Sequence, residues 1–125
     1  MTLIADPPVL LHEHATESWW HICPVAALHP ERGAAAVVRG RQIAVFLLHD
    51  GTVRAVQQAD PFADANVMSR GLVGTWKGRP SVASPMFKHV FDLDTGECVD
   101  AKGAEPRALR SYPARIVDGV VEVAG

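Results

Sequence analysis

The chain has 125 residues, 48% of them hydrophobic and 21% charged, with a formal net charge of -2 and a pI near 6.3. That length and composition describe one globular domain, large enough to bury a core without disulfide staples. They exclude a strongly basic nucleic-acid footprint, and no apolar run approaches the ~20 residues needed to cross a membrane. Residues 1–18 are Pro-containing and polar and read as a flexible N-terminal arm, with a folded domain over residues 19–125. Met1–Leu11 lacks a positive n-region ahead of its apolar residues, so it is not expected to act as a secretory signal. His12-Glu13-His14 lies in this arm and has no downstream partner at a recognised ligand spacing, which makes it a poor metal site.

The first predicted strand is Trp19–Cys23, limited by Pro24, which cannot donate to a ladder. Ala34–Val38 and Gln42–Leu48 follow, with Gly40-Arg41 as the tight turn between them. Ile43–Leu48 is a short continuous apolar run, and its length and β-branched content favour a buried strand. Asp50-Gly51 signals a hairpin returning through Val53–Val56. Lys88–Leu93, Asp94-Thr95-Gly96 and Glu97–Val99 make a second hairpin, and Tyr112–Val117, Asp118-Gly119 and Val120–Val123 a third. Arg70–Pro80 and residues 101–110 read as loops. Short strands with frequent turn signals, and no helix-period stretch, predict an all-β antiparallel sandwich or small barrel with an inserted loop subdomain.

Cys23 and Cys98 fit neither a CxxC nor a zinc-ribbon spacing. They read as small buried hydrophobes of a reducing compartment, which favours the cytoplasm; a disulfide between them stays open. His21, His29 and His49 fall at strand ends or turns and read as solvated or satisfied polar residues. Most of the aspartates sit in turns, where backbone chemistry explains them. Gly71, Gly74 and Gly78 form no dinucleotide fingerprint.

Two segments do not read as sandwich strands. One runs Ala59-Asp60-Pro61-Phe62 through Val67-Met68-Ser69-Arg70-Gly71, the other Ser84-Pro85-Met86-Phe87 through Phe91-Asp92. Together they resemble the two cluster-binding loops of a Rieske domain, in which Cys-x-His and Cys-x-x-His supply two thiolates and two imidazoles. Here Asp60, Phe62, Ser84 and Phe87 occupy the four ligand positions. Asp60 is a hard oxygen donor, Ser84 a poor ligand, and the two phenylalanines have no donor atom. His89 lies two positions beyond the family's ligand position. Phe62 and Phe87 are expected to fill the vacated space with hydrocarbon, and Asp60 and Ser84 to turn the loop backbone.

The emptied frame, with Ser69-Arg70-Gly71-Leu72-Val73-Gly74 and Val82-Ala83-Ser84-Pro85, resembles the small subunit of assimilatory NAD(P)H-dependent nitrite reductase. The resemblance covers roughly residues 19–123 and implies a Rieske-like fold without a [2Fe–2S] cluster. It implies no catalytic residue, cofactor or metal in this chain. Its partner would be a large subunit carrying FAD, sirohaem and a [4Fe–4S] cluster, which reduces nitrite to ammonia. Arg70, Trp76, Lys88 and His89 are candidates for the partner interface, Trp and Arg being enriched at hot spots; Lys77 and Arg79 lie in the same stretch. A Rieske-like module with a different protein partner, and a Rieske-type electron-transfer ferredoxin, remain as alternatives.

Overall fold

The computed structural model describes residues 2–5 and 18–125. In chain order the strands are β1 (Thr2–Ile4), β2 (Trp19–Pro24), β3 (Gly33–Val38), β4 (Arg41–Leu47), β5 (Val53–Gln57), β6 (Ala59–Asp60) and β7 (Ala65–Asn66). They continue as β8 (Leu72–Trp76), β9 (Arg79–Ala83), β10 (Val90–Asp92), β11 (Cys98–Asp100), β12 (Ser111–Tyr112), β13 (Ala114–Val117) and β14 (Val120–Ala124). Short 3-10 turns cover Val25–Ala27 and Met68–Arg70. Among the described residues they form four open sheets, ordered β1-β3-β4-β5-β12, β11-β10-β9-β8, β13-β14-β2 and β6-β7. The arrangement is sandwich-like and does not close into a barrel.

β4 explains the layering. Side chains alternate along a strand, and here both faces of the alternation are apolar. Ile43, Val45 and Leu47 enter one core with Ile22, Val121 and Val123. Ala44, Phe46 and the following Leu48 enter another with Met68, Val82, Phe91 and Leu93. The five-stranded sheet is therefore covered on one side by the β13-β14-β2 sheet and on the other by the β8–β11 sheet. From Ile43 onward the strand is buried on both faces and has no polar positions, which is why Ile43–Leu48 reads as a continuous apolar run.

Two-residue turns set the registers. Arg39-Gly40 and Asp118-Gly119 both have positive φ at each residue and join the directly paired Val38/Arg41 and Val117/Val120. This is the turn geometry that matches strand twist. The first turn is displaced by one residue from the expected Gly40-Arg41.

Four segments depart from the sequence reading. Thr2–Ile4, within the segment read as an arm, pairs in parallel with β3 through Thr2/Ala35, Leu3/Ala36 and Ile4/Val37. His12-Glu13-His14 lies outside the described residues. Arg70–Pro80, expected to be a loop, is instead mostly the β8–β9 hairpin, turning at Lys77-Gly78. Pro80 is tolerated because it faces Thr75 one step from the Trp76/Arg79 pair that closes the turn. Alternate pairs in an antiparallel ladder exchange no hydrogen bonds, so its missing N–H costs nothing toward β8. Strand Tyr112–Val117 is broken at Pro113: Ser111–Tyr112 pairs with β5 and Ala114–Val117 with β14. Finally, Lys88 and His89 are loop residues, and the strand expected from Lys88 begins only at Val90.

Gly71 sits where the first loop meets the second. A Cβ there would lie 2.6 Å from the Ala83 carbonyl oxygen and 2.6 Å from Val82 Cγ2. At Gly74 the nearest atom would be 3.9 Å away. Gly71→Ala is therefore expected to destabilise the fold by about 1–3 kcal/mol through backbone displacement, and Gly74→Ala to stay within about 0.5 kcal/mol. Urea denaturation of the two variants measures both.

Candidate functional site

The site is built where β5 leaves the five-stranded sheet. Gln58 is buried and holds the returning chain: its Nε2 donates to Ser69 Oγ at 2.8 Å and its Oε1 accepts from the Ser69 N–H at 2.7 Å. Its carbonyl accepts the Val67 and Met68 N–H groups, each at 3.0 Å. This clamp fixes the 3-10 turn that presents Arg70. Gln58 escaped the sequence reading because a lone glutamine beside Asp60 carries no motif.

Asp60 is fully buried, at 0% exposure. Its Oδ1 accepts the Phe62 N–H at 2.8 Å and the Ala63 N–H at 3.2 Å, an Asx-type turn. Its Oδ2 accepts a hydrogen bond from Ser84 Oγ. Thus the two positions at which a Rieske domain offers thiolates are here bonded to each other and lock the loops together. The second loop closes on itself: the Ser84 N–H donates to the His89 carbonyl at 2.9 Å and the Lys88 N–H to the Ser84 carbonyl at 3.1 Å.

Phe62 and Phe87 both flank His89 but play different parts. Phe62 packs against the second core and stacks on the His89 imidazole, with centroids 3.7 Å apart and planes inclined by 18°. Phe87 meets the same ring edge-on at 6.1 Å and is 56% exposed. The expectation that both phenylalanines fill the vacated interior is therefore corrected for Phe87. Lys88 adopts φ +62 within this closed loop, and the side chain turned inward is His89, at 6% exposure. Its Nδ1 has no hydrogen-bond partner among the described residues. Arg107 covers the loop from outside, donating to the Pro61 carbonyl at 3.2 Å with its guanidinium 6.0 Å from the Phe62 ring.

These residues do not fit a [2Fe–2S] cluster. Both phenylalanines lack donor atoms, and the oxygens of Asp60 and Ser84 are committed to each other and to backbone N–H groups. Among the described residues no three His, Cys, Asp or Glu side chains converge as a metal site. Cys98 belongs to the second core and Cys23 packs against the first. Burial pushes both thiols above their ordinary pKa, away from the thiolate that iron requires.

The four interface candidates are not one cluster. Arg70 and Lys88 are exposed, Trp76 is half-buried and His89 is buried. Arg70 precedes β8 and Trp76 ends it, with about 13 Å of extended backbone between the strand's two ends. Near Arg70 and Lys88 the structure adds exposed apolar residues that the sequence reading did not count among the interface candidates. Leu72 is 78% exposed and is paired with Ala83, next to Ser84; Met86 and Phe87 are also exposed. Exposed large side chains adjoining a loop rim are the usual signature of a contact surface.

Comparison with known proteins places this geometry. Residues 18–124 match the Rieske-like [2Fe-2S] domain family. The chain is 38% identical over 108 residues to the nitrite reductase (NADH) small subunit of Salmonella typhimurium, covering 86% of this chain and 97% of that protein. It is also 38% identical over 105 residues to a nitrite reductase [NAD(P)H] large subunit from Klebsiella oxytoca, where the match spans 84% of this chain but 11% of that protein. A crystal structure from Mycobacterium tuberculosis, provisionally designated an NADH-dependent nitrite reductase small subunit, superposes with a TM-score of 0.82 at 41% identity, covering 89% of this chain and 97% of that one.

Ser84→Ala removes the donor to Asp60 and leaves a buried carboxylate oxygen unsatisfied. The expected cost is about 1–3 kcal/mol. Guanidinium unfolding checks it, and an unchanged midpoint would mean that the loops are held elsewhere.

Proposed function

This chain belongs to the Rieske-like [2Fe-2S] domain family, among the small subunits of NADH nitrite reductase, and on that footing we propose that it is the non-catalytic subunit of an NAD(P)H-dependent nitrite reductase. The holoenzyme reduces nitrite to ammonia in the cytoplasm. FAD, sirohaem and a [4Fe–4S] cluster reside in the large subunit, and this chain brings neither cofactor nor catalytic residue. It completes or stabilises the larger protein. The observation that carries this reading is the hydrogen bond from Ser84 to Asp60. It spends on loop closure the two positions at which a Rieske electron carrier holds iron through sulfur.

The choice of partner draws support from the Klebsiella oxytoca large subunit, in which a domain like this one makes up 11% of the chain. A module that travels inside the large subunit in one organism is well placed to dock on it as a separate chain in another. The docking face combines Arg70 and Lys88 with exposed Leu72, Met86 and Phe87. His89 stands behind Phe87 as its support, and Trp76 marks the far end of the same hairpin.

The first test is NAD(P)H-dependent nitrite consumption by the large subunit with and without this chain. A higher rate together with co-elution is expected. A large subunit that is fully active alone and ignores this chain would leave a Rieske-like module with another protein partner. The face is tested separately. Phe87→Ser and Arg70→Ala should each weaken association by about tenfold or more while thermal stability is unchanged, as for central contact residues. Association unaffected by both variants removes the face.

A further inference from the structure

A cavity of about 350 Å³ opens beside the exit of β5, away from the loop residues described above, and is lined by Val38, Arg39, Arg41, Ile43, Arg110, Tyr112, Val123 and Gly125. Three of the chain's 12 Lys and Arg residues meet here in a protein of net charge -2. Among the described residues, no carboxylate pairs with Arg39, Arg41 or Arg110. Other arginines of the fold are neutralised locally: Arg54 by Asp94, Arg79 by Asp92 and Arg115 by Glu122. Arginines gathered with no side-chain carboxylate paired to them among the described residues repel one another, and a bound anion relieves that cost.

The three cations are not equally loose. Arg110 is fixed at both backbone groups, its N–H donating to Gln57 Oε1 at 2.7 Å and its carbonyl accepting from the Gln57 N–H at 2.8 Å. Its guanidinium lies 4.9 Å from the centre of the Tyr112 ring, held by cation–π attraction. Arg39 and Arg41 are carried by the tight turn and first residue of β4, whose register is set by the Val38/Arg41 pair. Val38, Ile43 and Val123 close the floor with hydrocarbon. A concave apolar floor under several arginine forks suits an anion with more than one oxygen to share.

We propose that this cavity binds a small polyvalent oxyanion, with Arg39, Arg41 and Arg110 as its donors. Phosphoryl and polycarboxylate groups share the chemistry that these donors read. Through Gln57 the site is tied to the first loop, because Gln57 Nε2 also donates to the Ala59 carbonyl at 2.8 Å, one residue before Asp60.

The experiment titrates the full chain with inorganic pyrophosphate, and separately with citrate, at low salt, following backbone amide shifts. Saturable shifts confined to Arg39, Arg41, Arg110, Tyr112 and Gly125 are expected, from one or both probes. Pyrophosphate alone assigns the site to phosphoryl groups, and citrate alone to polycarboxylates. Arg41→Gln and Arg110→Gln should each weaken binding by roughly tenfold, as for loss of one charge-assisted hydrogen bond, and Arg32→Gln, outside the cavity, should not. Shifts that never saturate, or that spread over all surface cations, overturn the proposal. So does binding unchanged in both cavity variants, or variants that lose stability while the wild type binds neither probe. None of these outcomes depends on whether the chain associates with a reductase.

Discussion

One buried carboxylate holds the functional end of the molecule together. Asp60 bonds two N–H groups of its own loop and the hydroxyl of Ser84 across the gap. A carboxyl group this deep is tolerated only when its oxygens are satisfied, since a buried polar atom without a partner costs more than a typical hydrogen bond returns. Everything outward of it follows: the closed second loop, the inward His89 and the stacking of Phe62 on its ring. Where metal would stitch two loops together in a Rieske domain, a hydroxyl-to-carboxylate hydrogen bond and an aromatic stack do so here.

The scaffold beneath this end is set by the five-stranded sheet, whose central strand feeds two cores. That arrangement makes the loops rigid extensions of strands already fixed by packing. The β8–β9 hairpin, by contrast, packs mainly through Val73 and Val82 on one face, which leaves Leu72 and Gly74 on the other side free to face solvent. Firm backbone under exposed apolar side chains is the combination that a binding surface needs, because little entropy is lost when a partner arrives.

Most of the architecture could be read from residue order. The Asp-Gly turns, the apolar run of β4 and the emptied ligand frame all act locally, and local chemistry survives into the fold. The misses have equally specific causes. β8 and β9 were hidden because three glycines and Pro80 mask a strand whose outer face is open to water. The split at Pro113 depends on which neighbour each half finds. His89 and Phe87 exchanged their expected environments because a left-handed residue at Lys88, invisible to periodicity, decides which ring faces in. Gln58 matters only through contacts made after the chain has returned to it.

The break at Pro113 has a consequence for how the molecule comes apart. Ser111–Val117 is one continuous stretch, yet its first part completes the five-stranded sheet and its second part the three-stranded one. The proline carbonyl is itself taken, accepting the Ala124 N–H at 3.0 Å. Neither sheet can open without pulling on a peptide that belongs to the other. The two layers are thus mechanically in series, and amide protons in both should exchange through the same global opening rather than through separate local ones.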